Sequence, residues 1–351
     1  MQQSQKKYKV SIIHLVRNLI WAQWNRMGLN GTGGANRYSV DIEASLIAAG
    51  YGSRLDGRLY EGVWSWIKLY GNIINKERLV TLVHKRGDEW IVRFLGALLE
   101  NTDEMLWKGV IKKFRSMCSP SWKETPMSIS ADADTWHDKD PIMQKWGISC
   151  ARLIPKQKML EHNIILQNNI WMQYRYLYGA TTRADVMYLL NVSHNCRNKR
   201  EIDFLTSVRL ADRLCCHPST IYRIQEDLEK GGFIERTMGT WTIVVKNALL
   251  IESSEDYDVG TIDWVKINLF IDALLKLADE LEVIDNEAIL KSRIQAFQTN
   301  YFPILFLNHY IEAPGAYGSG LGPLEKYSID QLFEMVENAT RLFYRIVCRE
   351  K

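Results

Sequence analysis

Apolar residues recur at three- and four-residue spacing along most of this chain, the signature of helices with one buried face. Asp41 is placed to cap a helix running through Ile42, Leu46 and Ile47, and Asp56 to cap a second whose Leu59, Val63, Trp66, Ile67 and Tyr70 share a face until Gly71 ends it. Asn75 caps a third, with Leu79, Leu82 and Val83 inward, so that a compact three-helix unit is predicted over 38–86. Helical spacing continues from Trp90 to Phe114. The stretch 119–140 then turns polar, with Pro120, Pro126 and Pro141, and predicts a linker. A long amphipathic segment follows over 155–178. The last hundred residues are again helical, broken by a Gly-rich loop over 313–323. Ser328 caps a final helix whose Ile329, Leu332, Phe333, Val336, Thr340, Phe343 and Val347 form one stripe.

The pattern changes character between 182 and 246. Thr182 caps a helix with Val186, Met187 and Leu190 inward; Val208, Leu210, Ala211 and Leu214 fit a short second helix; and Cys216-His217 is a turn-length break before Pro218. Proline is favoured in a first helical turn because its missing amide hydrogen would have no partner there. In the third helix Ile221, Ile224 and Leu228 face the first two, which leaves Ser219, Thr220, Tyr222, Arg223 and Glu226 outward. Gly231-Gly232 stops the helix. Residues 233–237 and 241–245 predict two strands of a hairpin around Met238-Gly239-Thr240.

Leu210-Ala211-Asp212-Arg213-Leu214, His217-Pro218-Ser219-Thr220-Ile221 and Leu228-Glu229-Lys230-Gly231-Gly232-Phe233-Ile234 together resemble the winged helix-turn-helix of prokaryotic transcriptional regulators, broadly of the MarR/ArsR-like kind. The resemblance covers 182–246 and implies double-stranded DNA as the ligand. Tyr178-Gly179-Ala180-Thr181-Thr182-Arg183-Ala184-Asp185-Val186, Asp41-Ile42-Glu43-Ala44, Asp56-Gly57-Arg58-Leu59-Tyr60 and Trp64-Ser65-Trp66 are similar to a larger group of uncharacterised winged-helix regulator-like proteins. A helix fits the major groove with its first residues at the base edges, so Ser219, Thr220, Tyr222 and Arg223 are the expected base readers, Arg223 against guanine. Arg197, Lys199, Arg200 and Arg209, before or within the second helix, and Arg236 and Thr240 in the wing are expected on the DNA backbone.

Charge complicates that picture. Residues 1–150 carry 21 Lys/Arg against 15 Asp/Glu, 151–250 carry 14 against 9, and 251–351 carry 9 against 17. A basic body and an acidic tail suggest that the tail holds a partner or a second copy, the alternative being an uneven solvated surface. Residues 201–236 hold five Lys/Arg against seven Asp/Glu, so Glu226, Asp227 and Glu229 would repel phosphates if they faced DNA.

Other constellations point to no chemistry. Asp132, Asp134, His137, Asp138 and Asp140 lack a preceding strand and a partner motif, and predict a solvated linker. His194, Cys196, Cys215, Cys216 and His217 match no zinc-site spacing, because the adjacent cysteines cannot both easily reach one tetrahedral ion. Gly31-Thr32-Gly33-Gly34 lacks the Lys-Ser/Thr of a phosphate loop and is expected to be a flexible connector. No local nucleophile motif is present, and Trp64, Trp66, Trp171 and Trp264 sit on apolar helical faces as core residues. Six cysteines with no CxxC pair predict reduced thiols, and no apolar run approaches the roughly 18 residues needed to cross a bilayer, so a cytoplasmic protein is expected.

The expected fold is mainly α, with helical N- and C-terminal units around a central winged helix-turn-helix and its small β-hairpin wing. It divides into a helical domain over 1–118, a polar linker over 119–154, a winged-helix domain with a leading helix over 155–250, and an acidic helical domain over 251–351. The expected function is non-enzymatic, sequence-selective binding of double-stranded DNA to regulate transcription, with no cofactor or metal. The expected oligomer is a homodimer through the C-terminal helices. The alternative is an interaction or antitoxin-like protein whose winged helix serves as scaffold and whose acidic C-terminal region holds a protein partner.

Overall fold

A computed structural model of the chain describes residues 2–32, 34–129, 137–155, 159–195, 206–237, 240–243, 262–306 and 327–349. It is mainly helical. The helices are α1 (Gln2–Arg26), α2 (Ile42–Leu55), α3 (Arg58–Tyr70), α4 (Lys76–Arg86), α5 (Glu89–Met117), α6 (Pro141–Lys145), α7 (His162–Asn168), α8 (Ile170–Tyr178), α9 (Thr182–Asn195), α10 (Ser207–Leu214), α11 (Pro218–Lys230), α12 (Trp264–Val283), α13 (Glu287–Phe306) and α14 (Ile329–Val347). Three short strand pairs accompany them: β1 (Ala35–Asn36) with β6 (Cys348–Arg349), antiparallel; β2 (Met127–Ser128) with β3 (Ile148–Ser149), parallel; and β4 (Ile234–Thr237) with β5 (Thr240–Ile243), antiparallel. No described helix is long and apolar enough to cross a membrane.

The chain divides into two compact units, and not where its polarity suggested. One unit joins residues 1–25 and 31–37 to 264–351; the other holds 26–30 and 38–263. In the first, α1 packs with the C-terminal helices. Tyr8 stacks on Phe333 at 4.7 Å, Ser11 donates to Glu337, and Gln23 bonds Asn268. The α14 stripe that suggested a dimer contact is covered within this unit: Ile329, Leu332, Phe333, Val336, Thr340, Phe343 and Val347 are all buried. Gly31 and Gly34 are packing positions rather than a flexible connector. A Cβ on Gly31 would lie 1.9 Å from the Trp21 ring, and the Gly34 amide donates to the Tyr344 hydroxyl.

The larger unit is built around α2, mostly apolar and buried on every side from Ile42 to Ser53. Asp41 caps it by accepting from the Ala44 amide, and Asn75 caps α4 by accepting from Arg78. Gly50 lets Ile91 of α5 approach so closely that a Cβ would sit 2.4 Å from it. α5 breaks at Asp103, whose carboxylate accepts from the Leu106 amide and restarts the helix. The predicted linker over 119–154 is instead partly packed core among its described residues. Met143, Trp146, Ile148 and Cys150 are buried, and Glu100 accepts from the Trp146 indole and pairs with Arg115 and Lys145. The amphipathic segment over 155–178 contains two helices, α7 and α8, that part at Asn169, fully buried with its side chain bonded to the Val40 carbonyl. Asp132 and Asp134 lie outside the described residues.

Candidate nucleic-acid interface

α8, α9, α10, α11 and β4 share one core. Trp171, Tyr174, Met187, Leu190, Leu210, Leu214, Ile221, Ile224, Leu228 and Ile234 are among its members. Thr206 caps α10 by accepting from the Arg209 amide, and α10 ends on Cys215 in the left-handed conformation, φ 55°. That residue reverses the chain. His217 then caps α11, its ring nitrogen accepting from the Ser219 amide at 3.2 Å, with Pro218 in the first turn. At the far end Gly232, φ 72°, lets the Phe233 amide reach back to the Leu228 carbonyl, closing the helix before β4. In the hairpin Arg236 pairs with Trp241 and Thr237 with Thr240, so the second strand begins at Thr240, one residue earlier than the sequence suggested.

Ile221, Ile224, Gln225 and Leu228 turn inward from α11, which leaves Ser219, Tyr222 and Arg223 exposed and Thr220 half-buried. Arg223 makes no ion pair or hydrogen bond among the described residues, while Ser219 shares its hydroxyl with His217. Arg209 is exposed on α10. Arg236 and Thr240 fall on β4 and β5. Arg197, Lys199 and Arg200 lie outside the described residues, as do Cys196 and the turn residues Met238 and Gly239. Among the described residues no group of His, Cys, Asp or Glu is arranged to hold a metal.

The acidic residues of α11 are not equivalent. Asp227 pairs with Arg183 of α9 at 2.7 Å on the exposed surface, so a cation stands directly beside its charge. Glu229 is exposed and Glu226 half-exposed.

Beneath this surface lies a buried ionic junction that periodicity did not reveal. Arg78 binds both oxygens of Asp41 and one of Glu43, and Arg175 binds both oxygens of Glu43 and one of Asp185. The Trp171 indole donates to the same Asp185 oxygen at 2.6 Å, and the Asn75 amide to Glu43 at 2.7 Å. All five charged side chains are buried. Burial pushes the Asp41 carboxyl upward, but the charge and hydrogen bonds of Arg78 outweigh it and hold Asp41 below the usual carboxylate range. Burial opposes the charged form of Arg78 too, and Asp41 and Glu43 raise it well above its ordinary value. Arg78 also reaches the end of α10, its Nε donating to the Leu214 carbonyl at 3.1 Å. The junction thus ties α2 and α4 to α8, α9 and the turn before α11. The signal for it was the presence of Glu43 and Arg175 within otherwise apolar helical runs.

Comparison of the chain with family models, with curated proteins and with solved structures finds no match.

Proposed function

We propose that this protein is a winged-helix, sequence-selective binder of double-stranded DNA that acts as a transcriptional regulator. The observation that carries the reading is α11: a helix held by its apolar face, capped at its start by His217, with Ser219, Tyr222 and an unpaired Arg223 presented outward from its first two turns. A guanidinium so placed suits the paired acceptors on the major-groove edge of guanine. The β4–β5 hairpin that follows α11 is the wing, and Arg236 and Thr240 are assigned to the DNA backbone with Arg209. Arg197, Lys199 and Arg200 keep that assignment from their sequence positions.

The Arg183–Asp227 pair supports the reading by setting a cation against one of the three acidic charges that weighed against it. Glu226 and Glu229 support the competing reading, in which the same face binds a basic protein. A second copy reading a second half-site would associate through a surface other than the covered α14 stripe.

Selection from a random duplex pool with the full chain tests the proposal. The expected result is a defined sequence, and Arg223→Ala should lose about 1–3 kcal/mol on it and relax preference at one position, with the salt dependence little changed. Recovery of no preferred sequence would contradict selective binding.

A further inference from the structure

We infer that the last turn of α4 and the second half of α5 belong to the same DNA-facing surface, with Lys85 and Lys113 taking phosphates that flank the base pairs read by α11. The inference rests on the DNA-binding reading above and extends it to elements outside the winged helix.

α4 is anchored at the approach to α11, because Arg78 holds the Leu214 carbonyl that ends α10. Lys85 lies seven residues on from Arg78, two helical turns along the same side and about 10 Å further. It is exposed and makes no ion pair among the described residues. Its neighbours agree with that placement. Burial raises the thiols of Cys215 and Cys216, the latter to about 11, and the positive charges of Arg78 and Lys85 act against that rise at both. Lys85 therefore stands within Coulombic reach of the two residues that precede His217.

The remaining cations of α4 are engaged elsewhere. Lys76 donates to the Leu106 carbonyl, Arg78 is buried, and Arg86 stacks over Tyr51. His84, exposed beside Lys85, borders an open cleft of about 530 Å³ whose other wall includes Lys113 and Ser116 of α5. Glu89 also lines that cleft, but its carboxylate is bonded to Arg93 and Ser119. Beyond the break at Asp103, α5 carries Lys108, Lys112, Lys113 and Arg115 against the single acid Glu104. α11 has only Arg223 and Lys230 against Glu226, Asp227 and Glu229. Phosphate neutralisation, the main source of affinity for a duplex, therefore has to come largely from cations elsewhere; Lys85 beside the turn and Lys113 across the cleft from His84 are exposed cations that complement the polyanion, whereas Arg115 is paired with Glu100.

Binding isotherms of the full chain on its selected duplex, taken over a salt series, test the inference. Lys85→Ala and Lys113→Ala should each reduce the slope of log K against log salt by about 1, and the double variant by about 2, with the ranking of duplex sequences unchanged. Trimming the duplex on one flank should weaken the wild type and leave the double variant unaffected. A double variant with the wild-type slope overturns the inference while leaving the DNA-binding reading intact; a wild type that binds no duplex overturns both. Lys85 also lies where a cation stabilises a helix carboxyl end. A lowered urea midpoint with an unchanged slope would assign it that structural role alone, and likewise overturn the inference.

Discussion

Individual side chains matter most where charge is buried. Two guanidiniums and three carboxylates sit together out of water, and a pair of that kind holds only because each group is met by several hydrogen bonds. Removing one partner from such a set costs about 3–5 kcal/mol, since the others stay behind uncompensated. Asp41 makes this testable by pH. Its folded value is depressed, so its contribution is complete above the unfolded carboxylate value of about 3.9 and is lost as pH falls through the lower folded value. The difference in urea midpoint between wild type and Asp41→Asn should accordingly be constant near neutrality and shrink below about pH 4. A difference that stays constant down to the acid limit would show that Asp41 gains nothing from Arg78. Beyond the interruption of apolar runs by Glu43 and Arg175, none of this was legible at sequence level, because hydrophobic spacing marks a charged residue as outward. Arg78 and Arg175 belong inward only by virtue of carboxylates distant in the chain. The caps were legible, since Asp41, Asn75 and Ser328 each act within three residues of their own position.

At the scale of elements, α10, α11 and their turn follow from local chemistry: Thr206 and His217 as caps, Pro218 in a first turn, Gly232 at an end. The turn itself contains the one described non-glycine residue with positive φ, Cys215 at 55°. A side chain in that conformation costs about 1–2 kcal/mol. Cys215→Gly is therefore expected to raise the unfolding free energy by about 0.5–1 kcal/mol, part of the relief being offset by glycine's greater freedom in the unfolded chain. Urea denaturation checks this, and a loss of stability would mean that the Cys215 side chain contributes packing that outweighs its strain. Other elements departed from their sequence pattern for reasons of long range. Periodicity ran through 155–178 without a break, yet Asn169 interrupts it to bond Val40. The polar stretch after 118 hides Trp146, which closes over Gly96 of α5.

Across the whole molecule, the basic body and acidic tail of the sequence do not survive folding. The unit that unites α1 with α12, α13 and α14 carries 14 Lys/Arg against 12 Asp/Glu, and the other carries 30 against 29. Each is close to neutral, and in the first the lysines of α1 belong with the C-terminal acids. Attraction to a polyanion must then come from where cations lie on a surface, which is the reasoning behind Lys85 and Lys113. Helix content and most helix ends were legible from one-dimensional pattern; the partition into units was not, since it depends on the first helix joining the last. The central claim is that the outward side of α11 enters a DNA groove. Replacing exposed Tyr222 with a photoreactive phenylalanine analogue and irradiating the full chain on its selected duplex tests it directly. The account predicts covalent adducts on bases within the selected sequence. Adducts confined to protein, or a duplex retained through another surface with none at this position, would contradict it.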